Sequence, residues 1–139
     1  MLQLIITKGL PASGKSTWAK KWVEESPSTR VRVNRDDLRN MLGPYWVPER
    51  ERLITQMEYS LVYTSLVYDY SVVLDATNFK WEKWKSVALD LNAEIVIKDF
   101  TDIPLEVCIE RDSKREGTAK VGRETIERFY NKYINNGSK

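Results

Sequence analysis

At 139 residues, the chain has the length of one domain with a buried core, and 42% apolar and 30% charged residues are ordinary for a globular protein. The net charge of +2 is too small to indicate a particular partner, and no apolar run approaches a membrane span. We therefore expect one cytoplasmic domain over residues 1–139, with no signal peptide and no membrane contact. The absence of histidine and the single cysteine exclude the commonest catalytic base and an intrachain disulfide, so any proton acceptor should be a carboxylate.

The first predicted elements are a strand, a glycine-rich loop and a helix. Residues 2–7 are almost wholly apolar, which is typical of a strand buried on both faces. Residues 8–17, KGLPASGKST, fit the phosphate-binding pattern G-x-x-x-x-G-K-[ST], and residues 18–25 favour a helix. This order is the context that the motif requires, so the sequence predicts a nucleotide-binding site rather than a simple glycine turn.

The loop residues have separate expected roles. Glycine permits close backbone approach, so the loop N–H groups can converge on phosphate oxygens at the N-terminus of the following helix. We expect Lys15 to reach the outer phosphates of ATP as a catalytic residue, and the Ser16 hydroxyl to be a ligand of Mg²⁺. The residues expected to contact the nucleotide are Gly9, Pro11, Ala12, Ser13, Gly14, Lys15, Ser16 and Thr17.

A second strand and a short helix follow. Residues 30–33 alternate between charged and apolar, which predicts a strand. Either Asn34 or Asp36 is suited to cap a helix that continues to about residue 41, where Gly43 and Pro44 end it.

A longer helix is predicted to begin at Pro48. Its apolar residues recur at intervals of three to four, which indicates one core-facing stripe. The residues assigned to that stripe are Leu53, Met57, Leu61 and either Thr64 or Tyr68.

The second half of the chain continues to alternate strands with helices. Strands are predicted at 71–75 and 94–100, helices at 80–91, 104–115 and 124–134, loops at 76–78 and 117–122, and a fraying tail at 135–139. In the helix over 80–91, the residues expected on one side are Trp81, Trp84, either Val87 or Ala88, and Leu91. Alternating strands and helices predict an α/β fold with a parallel sheet of about four strands and helices on both faces.

Polar residues follow the ends of three predicted strands, where ligands bind in such sheets. Asp36 is our candidate catalytic base, because its carboxylate can accept a proton from an alcohol aligned with the γ-phosphate. Asp37 is the alternative base, and a cap without catalytic role is the alternative for Asp36. Arg39 would lie on the same helical face and suits a substrate phosphate, unless it is only a solvated side chain.

Three further candidates follow the third strand. We expect Asp75 either to orient the water ligands of magnesium or to hold an arginine on the substrate side. Thr77 and Asn78 offer polar contacts to the substrate at the same rim. The alternative for this group is an Asx-type turn without a binding role.

The glycine-ended helix over 104–115 and the following loop predict a helical lid. Arg111 and Arg115 are four residues apart and thus share a face, where they are suited to stabilise charge on a transferring phosphoryl group. The alternative is a solvated basic helix end. Near Arg39, Tyr45 and Trp46 are candidates for stacking on a base, whereas the tryptophans in helical patterns are assigned to packing.

These motifs resemble the polynucleotide 5′-hydroxyl kinases of the phage type, a P-loop phosphotransferase family. The likeness rests on residues 9–19, on NRDDLR at 34–39, on DATN at 75–78 and on residues 111–117. It implies that Asp36 activates a 5′-hydroxyl of DNA or RNA, that Arg39 binds the neighbouring phosphate, and that Arg115 and Arg111 contact the ATP phosphates. DATN matches the D-x-T-N form of the wider family. No D-x-D-G-T is present, so no 3′-phosphatase activity is expected.

Two other functions fit the same motifs. A kinase for a nucleoside, a sugar or an antibiotic would share this layout. A nucleotide-dependent switch or binding module would bind nucleotide and transfer phosphate only to water. The N-K-x-D that usually accompanies guanine specificity is absent, because residues 131–134 read NKYI.

Overall fold

The computed structural model describes residues 1–135. Of the tail expected to fray, residues 135–139, Asn135 lies in a π-helix, and residues 136–139 lie outside the described residues. Its strands are β1 (Gln3–Lys8), β2 (Arg30–Asn34), β3 (Ser71–Asp75) and β4 (Glu94–Asp99). Its α-helices are α1 (Lys15–Glu24), α2 (Arg35–Met41), α3 (Glu51–Val67), α4 (Lys85–Asp90), α5 (Leu105–Ser113) and α6 (Arg123–Phe129). Short 3₁₀ turns at Pro48–Arg50 and Trp81–Trp84 precede α3 and α4, a third lies at Gly117–Ala119, and a π-helix over Tyr130–Asn135 follows α6.

The four strands form one parallel sheet in the order β2-β3-β1-β4. The two central strands are apolar and buried on both faces, because helices cover both faces of a sheet built from crossover connections. In register, Leu74 of β3 lies between Val33 of β2 and Ile6 of β1. The predicted α/β fold with a four-stranded parallel sheet is confirmed.

Each face of the sheet has its own apolar cluster. On one face, Val62 and Leu66 of α3 and Val87 of α4 pack against β1 and β3. On the other face, Ala19 and Trp22 of α1 pack against the same two strands. The carboxyl ends of all four strands therefore point to one edge, and the connections beyond that edge carry the candidate site.

The predicted core stripe of α3 is wrong by one position. Leu53 and Leu61 are about half exposed, and Tyr68 is 72% exposed. The buried residues of this helix are instead Ile54, Glu58, Val62 and Leu66. A glutamate can occupy the buried face because Arg35 Nη1 donates to Glu58 Oε1 at 3.2 Å, and an apolarity pattern cannot reveal such a partner.

A third apolar cluster packs α5, the helix of the predicted lid, against α6. Cys108 and Ile109 of α5 pack with Ile126 of α6 and with Leu10 of the loop after β1. Cys108 is fully buried, as expected of a small apolar side chain. Within residues 1–135, no helix has both the length and the apolar character needed to cross a bilayer.

Candidate active site

The loop between β1 and α1 has the conformation that a phosphate-binding loop requires. Gly9 has φ of 157° and its N–H donates to the carbonyl oxygen of Thr77 at 3.1 Å. A Cβ at Gly9 would lie 2.9 Å from both Phe100 Cβ and Ser13 Oγ, so a side chain has no room there. Gly14 has φ of 106° at the start of α1, which aims the N-terminus of that helix at the loop.

Lys15 is buried beneath this loop. Its Nζ donates to the Leu10 carbonyl oxygen and, at 3.3 Å, to Ser13 Oγ. Burial lowers the pKa of Lys15 from 10.5 to about 8, although the Asp75 carboxylate acts in the opposite direction. An anion bound in the loop would stabilise the protonated form of Lys15.

Ser16 and Asp75 join α1 to the end of β3. The Ser16 hydroxyl donates to Asp75 Oδ2 at 2.7 Å. The same oxygen accepts from Arg32 Nε at 2.8 Å and from Asn34 Nδ2 at 3.3 Å. Asp75 is only 1% exposed, so these donors hold its carboxylate in place. Asp75 is thus paired with Arg32 on β2, whereas both of its expected roles, to orient the water ligands of magnesium or to hold an arginine on the substrate side, stay predictions.

Asp36 lies on the wall of a cavity of about 130 Å³ that Lys15 and Ser16 also line. Its Oδ1 accepts hydrogen bonds from Arg39 Nη1 at 2.7 Å and from Tyr45 Oη at 2.5 Å. Within residues 1–135, no hydrogen bond goes to its Oδ2. One carboxylate oxygen is therefore anchored, and the other can accept a proton from an alcohol.

The structure separates Asp36 from its neighbour Asp37. Asp37 is not among the residues that line the cavity, and its Oδ2 accepts from Arg32 Nη1 at 2.6 Å. The helix cap is Asn34, whose Oδ1 accepts the backbone N–H of Asp37 at 2.9 Å. Asp36 therefore does not cap the helix, and its side chain remains available to the cavity.

Arg39 is held by a residue that the sequence analysis missed. Glu51, at the start of α3, accepts from Arg39 Nε at 3.0 Å and from Nη2 at 2.7 Å. These hydrogen bonds raise the pKa of Arg39 and lower that of Glu51. A guanidinium has five N–H donors, and Glu51 and Asp36 together accept three of them, one from each nitrogen of Arg39.

The same network extends into the core. Arg35 Nη2 donates to Glu51 at 3.3 Å, and its Nη1 donates to the buried Glu58 at 3.2 Å. Glu51 therefore links two arginines of α2 to α3. No sequence signal indicates this pairing, because a loop and a 3₁₀ turn separate Arg39 from Glu51 and break any helical periodicity.

The loop after β3 has one side chain at the cavity and one bound to the backbone. Thr77 lines the cavity that contains Asp36. The Asn78 amide instead donates to the carbonyl oxygens of Thr7 at 2.8 Å and Leu74 at 3.0 Å, with φ of 50° at Asn78. Asn78 does not line this cavity, so its amide fastens the ends of β1 and β3, and its expected contact with substrate stays a prediction.

Both lid arginines lie near the phosphate-binding loop. Arg111 Nη1 donates to the Ala12 carbonyl oxygen at 3.4 Å, and Ala12 has the left-handed φ of 65°. Arg115 lines the cavity with Lys15, and its Nη1 donates to the Ala119 carbonyl oxygen at 3.3 Å. Two positive charges of α5 and the residues just after it therefore lie close to the loop.

Asp112 fixes the lid loop and was also missed by the sequence analysis. It is 1% exposed, and its two oxygens accept the backbone N–H groups of Val121 and Gly122, each at 2.8 Å. Arg115 Nη1 lies 3.9 Å from Asp112 Oδ1. In the sequence, Asp112 stands out only as a polar residue inside an amphipathic helix. That pattern does not reveal which loop the side chain binds.

A second cavity of about 660 Å³, called here the aromatic cavity, adjoins the first and shares the wall formed by Asp36, Asp75 and Thr77. Tyr45 and Trp46 line it. Burial and the hydrogen bond to Asp36 raise the pKa of Tyr45 to about 12, so its hydroxyl remains a donor. Beyond the sheet edge, the phosphate-binding loop, the carboxylate of Asp36 and the aromatic side chains thus form one continuous surface.

Comparison with known proteins agrees with this geometry. The model of a family described as an AAA domain, AAA_33, matches residues 4–134. An L-seryl-tRNA(Sec) kinase of Methanococcus maripaludis is 28% identical over 98% of this chain and 54% of its own length. A protein of Autographa californica nuclear polyhedrosis virus, named as a bifunctional polynucleotide kinase/RNA ligase, is 27% identical over 95% of this chain and 21% of its own length. The chain thus spans about half of one curated relative and about a fifth of the other.

Solved structures of kinases and of an RNA repair complex also resemble this chain. A chain of the Pnkp1/Rnl/Hen1 RNA repair complex superposes with a TM-score of 0.84 and 30% identity, over 99% of this chain and 45% of that chain. A Mycobacterium tuberculosis APS kinase, with 21% identity and a TM-score of 0.58 over 81% of this chain and 69% of that chain, shares the fold. The predicted resemblance to polynucleotide kinases is confirmed, and the P-loop fold is one that binds nucleotides.

Proposed function

We propose that this chain, which belongs to the AAA_33 family of AAA domains, is an ATP-dependent kinase. Its acceptor would be the 5′-hydroxyl end of DNA or RNA. One observation carries this proposal. The free oxygen of Asp36, the ammonium of Lys15 and the hydroxyl of Ser16 belong to residues that line one cavity. A proton acceptor opposite a phosphate-binding loop is the arrangement that phosphoryl transfer to an alcohol needs.

The transfer can be written for these residues. The acceptor oxygen forms a bond to the γ-phosphorus, the bond from that phosphorus to the β,γ-bridging oxygen breaks, and ADP leaves. The alcohol proton moves to Asp36 Oδ2, the oxygen that accepts no hydrogen bond within residues 1–135. Lys15 and Arg115 supply positive charge to the outer phosphates, where charge is spread in the transition state.

Magnesium fits the oxygen donors beside the loop. Ser16 and Asp75 provide a hydroxyl and a carboxylate 2.7 Å apart, and within residues 1–135 there is no cluster of three or more acidic, histidine or cysteine ligands. Mg²⁺ is commonly bound by one or two protein oxygens together with nucleotide phosphates, so this small donor set suits it. When bound, the ion neutralises phosphate charge. Ser16 would be its direct ligand, with Asp75 orienting the Ser16 hydroxyl.

Arg39 supports a nucleic-acid acceptor. It lies beside Asp36, and Glu51 fixes the plane of its guanidinium, a group suited to bind a phosphate. An alcohol without an adjacent phosphate would not use this group. The names of both curated relatives also refer to RNA or polynucleotides, which supports an acceptor that is part of a nucleic acid.

A second acceptor class is supported by one relative. The similarity to an L-seryl-tRNA(Sec) kinase favours, as the alternative acceptor, the free side-chain hydroxyl of a serine whose carboxyl group is esterified to tRNA. The base and the phosphate-binding loop would serve either alcohol. The two proposals differ in what lies next to the hydroxyl, a sugar phosphate or an aminoacyl ester.

An acceptor panel tests the proposal. The protein is incubated with γ-labelled ATP, Mg²⁺ and, separately, a 5′-hydroxyl oligodeoxynucleotide, the matching RNA, a free nucleoside and seryl-tRNA. We expect label on the oligonucleotides and none on the nucleoside. Label only on seryl-tRNA would replace the proposed acceptor, and release of phosphate to water with no labelled acceptor would reject the kinase function.

A further inference from the structure

Trp46 is an exposed aromatic side chain at the candidate site. It is 60% exposed and lines the aromatic cavity together with Asp36 and Arg39. Tryptophan is highly buried on average, so an indole left in solvent at the rim of a functional cavity suggests a ligand-binding role.

The segment that carries Trp46 is held in a defined position. On one side of it, the Tyr45 hydroxyl donates to Asp36 at 2.5 Å. The segment also leads into the 3₁₀ turn Pro48–Arg50, and Arg50 Nη1 returns to donate to the Leu42 carbonyl oxygen at 2.8 Å. The backbone that carries the indole is therefore anchored on both sides, which reduces the entropy lost when a ligand stacks on Trp46.

The surroundings of Trp46 are positively charged. The Arg39 guanidinium carbon lies 5.8 Å from the Trp46 ring centroid and 5.7 Å from that of Tyr45. Lys120 and Arg128, from the lid loop and α6, line the same cavity. An aromatic surface flanked by cations is the combination with which proteins bind single-stranded nucleic acid, because each base stacks while its backbone meets positive charge.

The cavity can hold a nucleoside. Its volume of about 660 Å³ lies within the range of small-ligand sites, about 300–1,000 Å³. Asp36 and Arg39 would bind the 5′-hydroxyl and the phosphate of one sugar, and both rings lie beside the Arg39 guanidinium. The base of that sugar is thus directed to the aromatic side of the cavity.

We propose that Trp46 is the stacking platform for the unpaired base of the accepting 5′-terminal nucleotide. This inference rests on the proposed function and adds a specificity-determining residue to it. The enzyme would select ends whose terminal base is present and free to leave its duplex partner. This selection between nucleic-acid ends would act when the acceptor binds, because Trp46 does not line the cavity that Lys15 and Ser16 line.

The test compares two single-stranded acceptors that differ only in the terminal base. One oligonucleotide carries a 5′-terminal adenosine, and the other carries an abasic sugar with the same 5′-hydroxyl and phosphate. We expect the wild type to prefer the complete nucleotide in kcat/KM by about 5- to 100-fold, which is the usual effect of one base–aromatic stack. In Trp46→Ala this preference should fall to about 2-fold or less, while Trp46→Phe should retain most of it.

The control variant is Tyr68→Ala, because Tyr68 is an aromatic residue with 72% exposure that does not line the aromatic cavity. It should behave as the wild type. The stacking role of Trp46 would be rejected if Trp46→Ala kept the full preference, or if it changed the KM for ATP rather than for the acceptor. Either outcome would leave the proposed kinase function intact. A wild type that phosphorylates neither oligonucleotide would overturn the proposed function and the platform with it.

Discussion

Glu51 and Arg39 form a two-point ion pair in which the carboxylate accepts from Nε at 3.0 Å and from Nη2 at 2.7 Å. The Arg39 side chain is 16% exposed, so the pair is partly shielded from solvent screening. Planar pairs of this kind fix the orientation of the guanidinium as well as its position. Arg39, the arginine that we propose binds the acceptor phosphate, therefore has its geometry set by α3.

Replacing Glu51 should therefore weaken acceptor use. We expect Glu51→Gln to lower kcat/KM for a 5′-hydroxyl oligonucleotide by about 10- to 100-fold, the scale of a hydrogen bond to a charged group, with the KM for ATP unchanged. Arg39→Ala should do the same. Steady-state kinetics with Glu49→Gln, an exposed carboxylate in the preceding turn, is the matched control. If Glu51 acts through Arg39, the double variant should be no worse than Arg39→Ala, and additive losses would contradict this.

Asp36 and Asp37 provide a matched pair for the catalytic base. Asp36→Asn should reduce turnover by about 10²- to 10⁴-fold, because it removes the proton acceptor, while ATP affinity stays near that of the wild type. Asp37→Asn should retain most turnover, since Asp37 pairs with Arg32 away from the cavity. Single-turnover transfer of labelled phosphate measures the step, and nucleotide titration measures affinity. Equal losses in the two variants would refute the assignment.

Nucleotide binding should take up protons near pH 8. Burial lowers the pKa of Lys15 to about 8, so about half of the amines are neutral at that pH in the free protein. Bound phosphates favour the ammonium, and affinity should therefore fall as the pH rises above about 8. Titration calorimetry in buffers of different ionisation enthalpy should detect uptake of about half a proton at pH 8, where the nucleotide phosphates are already fully ionised. Lys15→Arg, whose guanidinium stays protonated, should abolish the uptake at pH 8; persistence there would exclude Lys15 as its source.

Asp112 should control how well the lid excludes water. Asp112→Ala removes the acceptor of two backbone N–H groups at Val121 and Gly122, which should loosen the loop next to Arg115. We expect several-fold more ATP hydrolysis per transferred phosphate, a higher KM for ATP, and a free energy of unfolding lower by about 1–3 kcal/mol.

The control for this lid variant is Glu110→Ala on the same helix. The Glu110 side chain forms an exposed pair with Lys114 at 3.5 Å, and such a pair contributes little to stability. Hydrolysis and transfer are measured in one reaction by separating labelled phosphate from labelled oligonucleotide. An unchanged ratio in folded Asp112→Ala would show that Asp112 does not act on the lid.

Local patterns in the sequence were sufficient for the fold class and for the nucleotide site. The loop around Lys15 is a contiguous motif whose geometry depends on its own glycines and on the strand and helix that flank it. Alternating apolar strands and helices allow few topologies, so a parallel sheet followed from them. The place of Asp36 after a strand also predicted that it lies at the edge of the sheet where ligands bind, and it lines the cavity there, while its role as the base stays a prediction.

Only the tertiary structure decided how the side chains pair across the chain. Arg39 with Glu51, Asp112 with the lid loop, and Glu58 with Arg35 are contacts between separate elements, and no local periodicity encodes them. For the same reason the α3 stripe was assigned to the wrong face, since a buried glutamate is stable only where folding brings an arginine to it. A sequence determines the elements through short-range propensity and pattern, whereas the partner of a charged group depends on where the packed elements meet.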